Sequence, residues 1–349
     1  MRLVADFVSG ALLDKRRTNA ALQNLAVCLL LLIAMAPSVR AQELFQEEND
    51  LAASDVDRIY VKGLQFLART QSADGTWPDR PYGAEPAVVA LSIISMLAHG
   101  DEPNFGPYSE NIRKGLDFIL KQMNKETGYI GRSMYNHGFS ALALAEAYGT
   151  VDDPRLGPAL ELAVRLIIHS QEKNSLGAWR YAPESSDADT TVTGAQMVAL
   201  FAARNAGIAV QEEAIQKGLR FLARCQTPEG GMGYTSSSGP NGTRTAIGCL
   251  VYSLAKEKNS PVYQNLFKFL QRAPQDMSYH EYNLYYTSQA FFQAGPQYWR
   301  DWNLRNIREL GASQQGDGSW NGQFGAAFST AGSLLSLALN YRYLPIYER

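Results

Sequence analysis

Two short stretches hold most of the side chains able to do chemistry. The first, Trp179 to Gln196, reads Trp-Arg-Tyr-Ala-Pro-Glu-Ser-Ser-Asp-Ala-Asp-Thr-Thr-Val-Thr-Gly-Ala-Gln and sets Asp187 and Asp189 just ahead of three threonines. An Asp followed by Thr at the head of a helix accepts backbone N–H bonds as an N-cap, and that alone would account for either carboxylate. The second stretch, Tyr279-His-Glu-Tyr-Asn-Leu-Tyr-Tyr286, puts Tyr282, Tyr285, Tyr286 and Gln289 on one helical face, as core packing or as the wall of a cavity. Its Tyr, His280 and Glu281 are also residue types that serve as acid and base in a secreted carbohydrate lyase or hydrolase, although no second carboxylate stands at a comparable place. His137 and His280 read either as hydrogen-bonded inner-helix residues or as groups facing a substrate.

Metal and cofactor chemistry finds no footing. The histidines 99, 137, 169 and 280 are scattered, and there is no CxxC or HExxH spacing. Cys225 and Cys249 do not make a disulfide framework and are expected to be buried thiols. The chain has 349 residues, 46% hydrophobic and 19% charged, with a formal net charge of −2. That is the composition of a folded globular protein, and its mildly acidic balance argues against a nucleic-acid partner.

The N-terminus carries a different signal. Lys15-Arg16-Arg17 precedes an apolar run from Leu25 to Ala36, followed by Pro37 and Val39-Arg40-Ala41. A basic region, a short apolar region and a small-x-small site predict a secretory signal over residues 1–41, cleaved after Ala41. An uncleaved N-terminal anchor is the alternative. The expected protein is exported, to the periplasm or beyond, with residues 42–55 as a linker.

The elements that must position these side chains are legible as a repeat. Six segments share a helix of apolar 3–4 spacing that ends in Gln, and the terminal glutamines, from Gln71 to Gln314, step by 51, 49, 55, 45 and 43 residues. Each is followed by a Gly-rich turn and a second apolar segment richer in Ala, Gly, Ser and Thr: 86–98, 137–148, 190–204, 244–256, 281–294 and 327–340. This pattern leaves no room for strands. The small-residue helices suit an inner ring and the Lys/Arg-bearing ones an outer ring. The fold expected for residues 56–349 is therefore all-α, a single α/α toroid (α6/α6 barrel) of six helical hairpins, with the C-terminal Tyr341-Arg-Tyr-Leu-Pro-Ile-Tyr as an ordered extension.

Two turns repeat one phrase: Gln71-Ser-Ala-Asp74-Gly75-Thr76-Trp77 and Gln314-Gln-Gly-Asp317-Gly318-Ser319-Trp320. Gln can satisfy backbone groups left open at helix termini, Asp-Gly makes a tight turn, and Trp covers the junction, so the phrase is a structural staple. It resembles the QW motif of the squalene-cyclase and prenyltransferase repeat superfamily, with looser copies at Gln122…Gly128-Tyr129, Gln171…Gly177-Ala178-Trp179 and Gln226…Gly231-Met-Gly-Tyr234.

That resemblance implies a terpenoid-cyclase-like toroid holding an apolar, isoprenoid-type small molecule. Asp187-Ala188-Asp189-Thr190-Thr191 is similar to the D-x-D-D-T motif of squalene-hopene cyclases, whose middle Asp protonates an alkene; Asp189 is the matching acid, Asp187 its neighbour, and Thr190 stands where the third Asp would be. A class II cyclase of this kind would be an isomerase or lyase, with Thr190, Thr193, Gln196, His137, His280, Tyr282, Tyr285 and Tyr286 around the substrate and aromatic faces stabilising carbocations. The zinc site of protein prenyltransferases is not matched, nor is the Gly-Cys-Gly-Glu-Gln of the thioester proteins that share the toroid. The competing expectation is a non-catalytic toroid gripping a lipid, a peptide or an envelope protein, and a membrane surface is compatible with either.

Overall fold

The computed structural model describes residues 39–79, 81–273 and 279–347, with side chains from residue 55 onward. The predicted signal lies almost wholly outside the described residues. The chain divides into residues Met1–Ser54 and a compact unit Asp55–Arg349, and the second unit holds the repeats.

Among the described residues there are twelve α-helices: α1 Val39–Thr70, α2 Pro86–Leu97, α3 Ser109–Lys121, α4 Met134–Ala147, α5 Leu156–Lys173, α6 Thr190–Asn205, α7 Glu212–Arg224, α8 Gly242–Leu254, α9 Pro261–Leu270, α10 His280–Ala294, α11 Pro296–Ser313 and α12 Ala326–Ala338, with a short 3-10 turn at Pro345–Tyr347. None is long and apolar enough to cross a membrane. The inner helices α2, α4, α6, α8, α10 and α12 are buried on nearly every face. Each packs on the next, and α12 packs on α2. The ring is closed, as the α/α toroid expectation requires.

The starts of α4 and α8 fall slightly earlier than apolar spacing predicts, because polar caps begin them. Ser133 caps α4 by accepting from the Asn136 amide at 3.2 Å, and Asn241 caps α8 by accepting from the Arg244 amide at 2.9 Å. Cys225 and Cys249 are buried and free.

The recurrent turn phrase is what joins one hairpin to the next. Trp77 and Trp320 are buried and donate from Nε1 to Leu67 O and Leu310 O, at 3.0 and 3.2 Å, which locks each turn onto its own outer helix. Asp74 and Asp317 fold the turn by accepting the side-chain hydroxyl and the amide of Thr76 and Ser319. Gly75 and Gly318, at φ 88° and 94°, lie so close to the Lys114 and Lys62 carbonyls that a Cβ would overlap them.

The glutamines do something that one repeat alone cannot reveal. Gln71 Nε2 donates to Gly75 O in its own turn and to Asn111 O of α3, both at 3.1 Å. Gln171 reaches Ala214 O of α7 at 2.8 Å, and Gln226 reaches Val262 O of α9 at 2.9 Å. Gln314 reaches Ile59 O of α1 at 2.9 Å, so the same stitch seals the sixth hairpin to the first.

Candidate functional site

All six inner helices begin at one end of the toroid, and each carries a partly exposed side chain in its first turn: Ala87, Tyr135, Thr191, Arg244, Tyr282 and Phe328. These form the rim of a mouth, and three of them are aromatic. Beneath the rim, α4 presents Tyr135 and Phe139 one turn apart while α10 presents Tyr282, Tyr285 and Tyr286. The two helices belong to the second and fifth hairpins, on opposite sides of the ring. Their rings nevertheless meet, with Phe139 and Tyr285 centroids 6.2 Å apart, Tyr285 and Tyr286 at 4.8 Å, and Tyr282 and Tyr286 at 5.0 Å. The bore is thus crossed by edge-on aromatics, with the bowl on the rim side of that crossing, bordered by Tyr135, Tyr282 and Phe328, and the base on the side where the inner helices end. Burial raises the Tyr282, Tyr285 and Tyr286 phenols above their usual value, so all three are neutral donors.

Asp189 sits at the edge of this bowl with no exposed surface. It is the N-cap of α6: Oδ1 accepts from the Thr191 and Val192 amides at 2.8 and 2.9 Å and from Thr191 Oγ1 at 2.6 Å. Its other oxygen, Oδ2, pairs with Arg180 Nη1 at 3.1 Å, and Arg180 Nε also holds the exposed Asp187 at 3.2 Å. Both oxygens are therefore committed, one to the helix terminus and one to a guanidinium. A chain of hydroxyls links Asp189 to the bowl, in which Tyr135 donates to Thr191 Oγ1 at 2.6 Å and Thr191 donates onward to Asp189.

The remaining residues singled out in the sequence are fastened to neighbouring backbone. Thr190 donates to Gly233 O, Thr193 is bonded across to Trp179, and Gln196 Nε2 donates to Met134 O at 2.8 Å, tying α6 to the start of α4. His137 is fully buried on the side of α4 that faces α5, with Nε2 against Ala163 O at 3.0 Å and Nδ1 accepting from the Ile130 amide at 3.2 Å. Burial lowers it to about 4, so it is a neutral imidazole with the Nε2–H tautomer. His280 Nε2 faces Glu309 of the outer helix α11 at 3.3 Å. Trp179 is buried and donates to Ile167 O, the third copy of the indole lock.

The other carboxylates at the mouth also have structural partners. Asp79 Oδ2 accepts from the Ala327 amide at the head of α12, and Glu85 Oε2 accepts from Asn136 Nδ2, both at 2.6 Å. Sequence reasoning missed Arg180, although it lies inside the stretch quoted for Asp189, because nothing local says which carboxylate a guanidinium will choose. It also missed Tyr135 and Phe139. Their i, i+4 spacing with Glu146 seven residues further on was a readable signal for one face of α4.

This geometry defines a class, the α/α toroid with its mouth at the heads of the inner helices. Solved structures of that class align with the chain over most of its length. The type II terpene cyclase MstE from Scytonema matches 83% of this chain and 99% of its own, at 15% identity and a TM-score of 0.59. A family 76 glycoside hydrolase from a bovine Bacteroides thetaiotaomicron strain matches 82% of this chain and 77% of its own, at 12% identity and 0.63. The GH76A alpha-1,6-mannanase of Salegentibacter sp. HEL1_6 matches 81% and 98%, at 9% and 0.61. At such identities the likeness establishes the fold alone. No family model and no curated protein sequence matches the chain.

Proposed function

We propose that this protein is an exported binding protein of terpene-cyclase architecture, holding an apolar isoprenoid-type molecule in the aromatic bowl and releasing it unchanged. The observation that carries this reading is the bowl itself: Tyr135, Tyr282 and Phe328 at the rim, above a floor of Phe139, Tyr285 and Tyr286 that crosses the bore. Concave, mostly apolar sites with a few phenolic donors suit an isoprenoid chain with one polar end. A variant of the Scytonema cyclase is described in complex with geranylgeranyl dihydroxybenzoate, a ligand of that character, within the same fold.

The clamping of Asp189 supports binding over proton chemistry in this reading. An alkene-protonating acid must be held neutral in a dry site, whereas this carboxylate is clamped by two amides, a hydroxyl and Arg180. Export belongs to the proposal on the strength of the basic, apolar and small-residue layout that ends at Ala41.

The test uses the purified protein with geranylgeraniol as probe. Binding read by tyrosine and tryptophan fluorescence should saturate, the probe should be recovered intact by mass spectrometry, and Tyr282→Ala and Phe328→Ala should each weaken binding about tenfold, the value of roughly one lost aromatic contact of ~1.4 kcal/mol. A cyclised product that disappears in a folded Asp189→Asn variant would replace this reading with the cyclase one.

A further inference from the structure

The bowl lies at one end of the bore, and residues 344–347 lie across the other. Beyond α12 the backbone turns at Arg342, which adopts φ 60° and sets its guanidinium 5.3 Å over the Phe292 ring. Residues 344–347 then fold back across the C-terminal ends of the inner helices. Leu344, Ile346 and Tyr347 are buried, while Tyr343 beside them is exposed. Pro345 O accepts from Asn205 Nδ2 at the end of α6 at 3.3 Å. The Ile346 N–H is a donor to the carboxyl of Glu146, in the last turn of α4. The Tyr347 phenol is enclosed beside Tyr285 of α10 and Tyr60 of α1. Four residues thereby touch three inner helices and one outer helix, and fill the base that the Phe139–Tyr285 contact separates from the bowl.

Glu146 is the anomaly in this arrangement. It is a carboxyl with 3% exposure, its Oε2 has no partner among the described residues, and no cation among them perturbs it. The titratable groups that face it are the phenols of Tyr285 and Tyr347, neutral and themselves raised by burial. A buried acid so placed is stable only when neutral, and burial pushes it up to about 8. Once ionised, the carboxylate keeps the Ile346 N–H as a donor but leaves Oε2 with none in the dry base, and water reaches that oxygen by displacing Ile346 and Tyr347.

We propose that residues 344–347 are a removable stopper for the base of the bore, seated on Glu146 in its neutral form and lifted when that carboxyl ionises. What the stopper controls, entry to the bore from below, rests on the ligand-binding reading above; the stopper itself does not.

The experiment is hydrogen exchange by mass spectrometry on the full chain, following the C-terminal peptide from pH 6 to pH 9 with correction for the intrinsic pH dependence of exchange. In the wild type, protection of the Ile346 and Tyr347 amides should fall at least tenfold as the pH rises from 6 and level off near pH 8, while the inner-helix peptides stay protected. Glu146→Gln, which keeps the neutral shape and cannot ionise, should hold protection across the range. Tyr347→Ala should lack protection at every pH with unchanged helical content, and it serves if Glu146→Gln does not fold. Constant wild-type protection to pH 9, or a parallel fall in Glu146→Gln, would overturn the proposal. In a parallel arm the uptake rate of geranylgeraniol should rise over the same pH window. Failure of the probe to bind, beside an intact pH-dependent exchange profile, would remove the ligand reading and leave the stopper.

Discussion

Asp189 shows how one side chain can carry two incompatible readings that only its neighbours separate. As an N-cap it contributes about 1 kcal/mol, and because it is also the buried partner of Arg180, which keeps only Asp187 when it is removed, its loss should total about 2–4 kcal/mol. Asp189→Ala should therefore be strongly destabilising in urea denaturation. Asp189→Asn keeps an amide oxygen for the Thr191 and Val192 amides and should lose only about 1–2 kcal/mol. Equal losses for the two variants would show that charge, rather than the cap, dominates the site. His137 makes a second prediction at this scale. Its folded value of about 4 lies below the ordinary 6.5, so the native state binds fewer protons than the unfolded one between those limits. The stability this group contributes is complete above pH 6.5 and is lost as the pH falls toward 4. Thermal melts across that window should show a slope that flattens in His137→Gln, and an unchanged slope would mean that other groups set it.

At the scale of elements, the stitches by the turn glutamines explain why the period is so legible. A helix that must end where its Gln can reach both its own turn and the next outer helix cannot drift in length, so the Gln positions stand out in the amino-acid sequence. Their partners do not. Asn111 O and Ile59 O lie 40 and 255 residues from the glutamines that bond them, and no local pattern encodes which carbonyl will be near. The same gap divides the site: Thr190, Thr193 and Gln196 are visible as a polar run at a helix head, but the bonds that occupy them go to Gly233, Trp179 and Met134 in other segments. Gln71→Ala removes three hydrogen bonds, two of them across the seam to Asn111, and Gln314→Ala removes two, one of them across a seam. Each should lose about 1–3 kcal/mol by equilibrium denaturation. Because the Gln314 seam joins the last hairpin to the first, its loss should also raise exchange in α1 and α11 before the rest of the ring. Uniform exchange across all hairpins in that variant would mean the closure rests on apolar packing alone.

For the whole molecule, ring closure and bore filling are separate facts. The toroid closes because every inner helix has two inner neighbours, α12 included, and that was foreseeable from six equal hairpins. That the hollow is divided was not foreseeable, since Phe139 and Tyr285 are 146 positions apart in sequence and meet only because the second and fifth hairpins of a six-membered ring face each other. The division makes a prediction about capacity. Phe139→Ala should lose about 3–5 kcal/mol of stability, the usual result of deleting a buried ring whose surroundings cannot collapse onto the gap, and a closed ring of helices is such a surrounding. The same deletion leaves a ring-sized gap in the aromatic crossing beneath the bowl. Wild-type protein should therefore bind a short isoprenoid alcohol and a long one with similar affinity, since only the first few units enter the bowl, whereas Phe139→Ala should favour the longer one about tenfold or more, at the ~0.8 kcal/mol gained per newly buried methylene. Competition between geraniol and geranylgeraniol measured by tryptophan fluorescence reads that ratio directly. An unchanged ratio in a folded Phe139→Ala variant would place the ligand wholly outside the bore and confine recognition to the rim residues Tyr135, Tyr282 and Phe328.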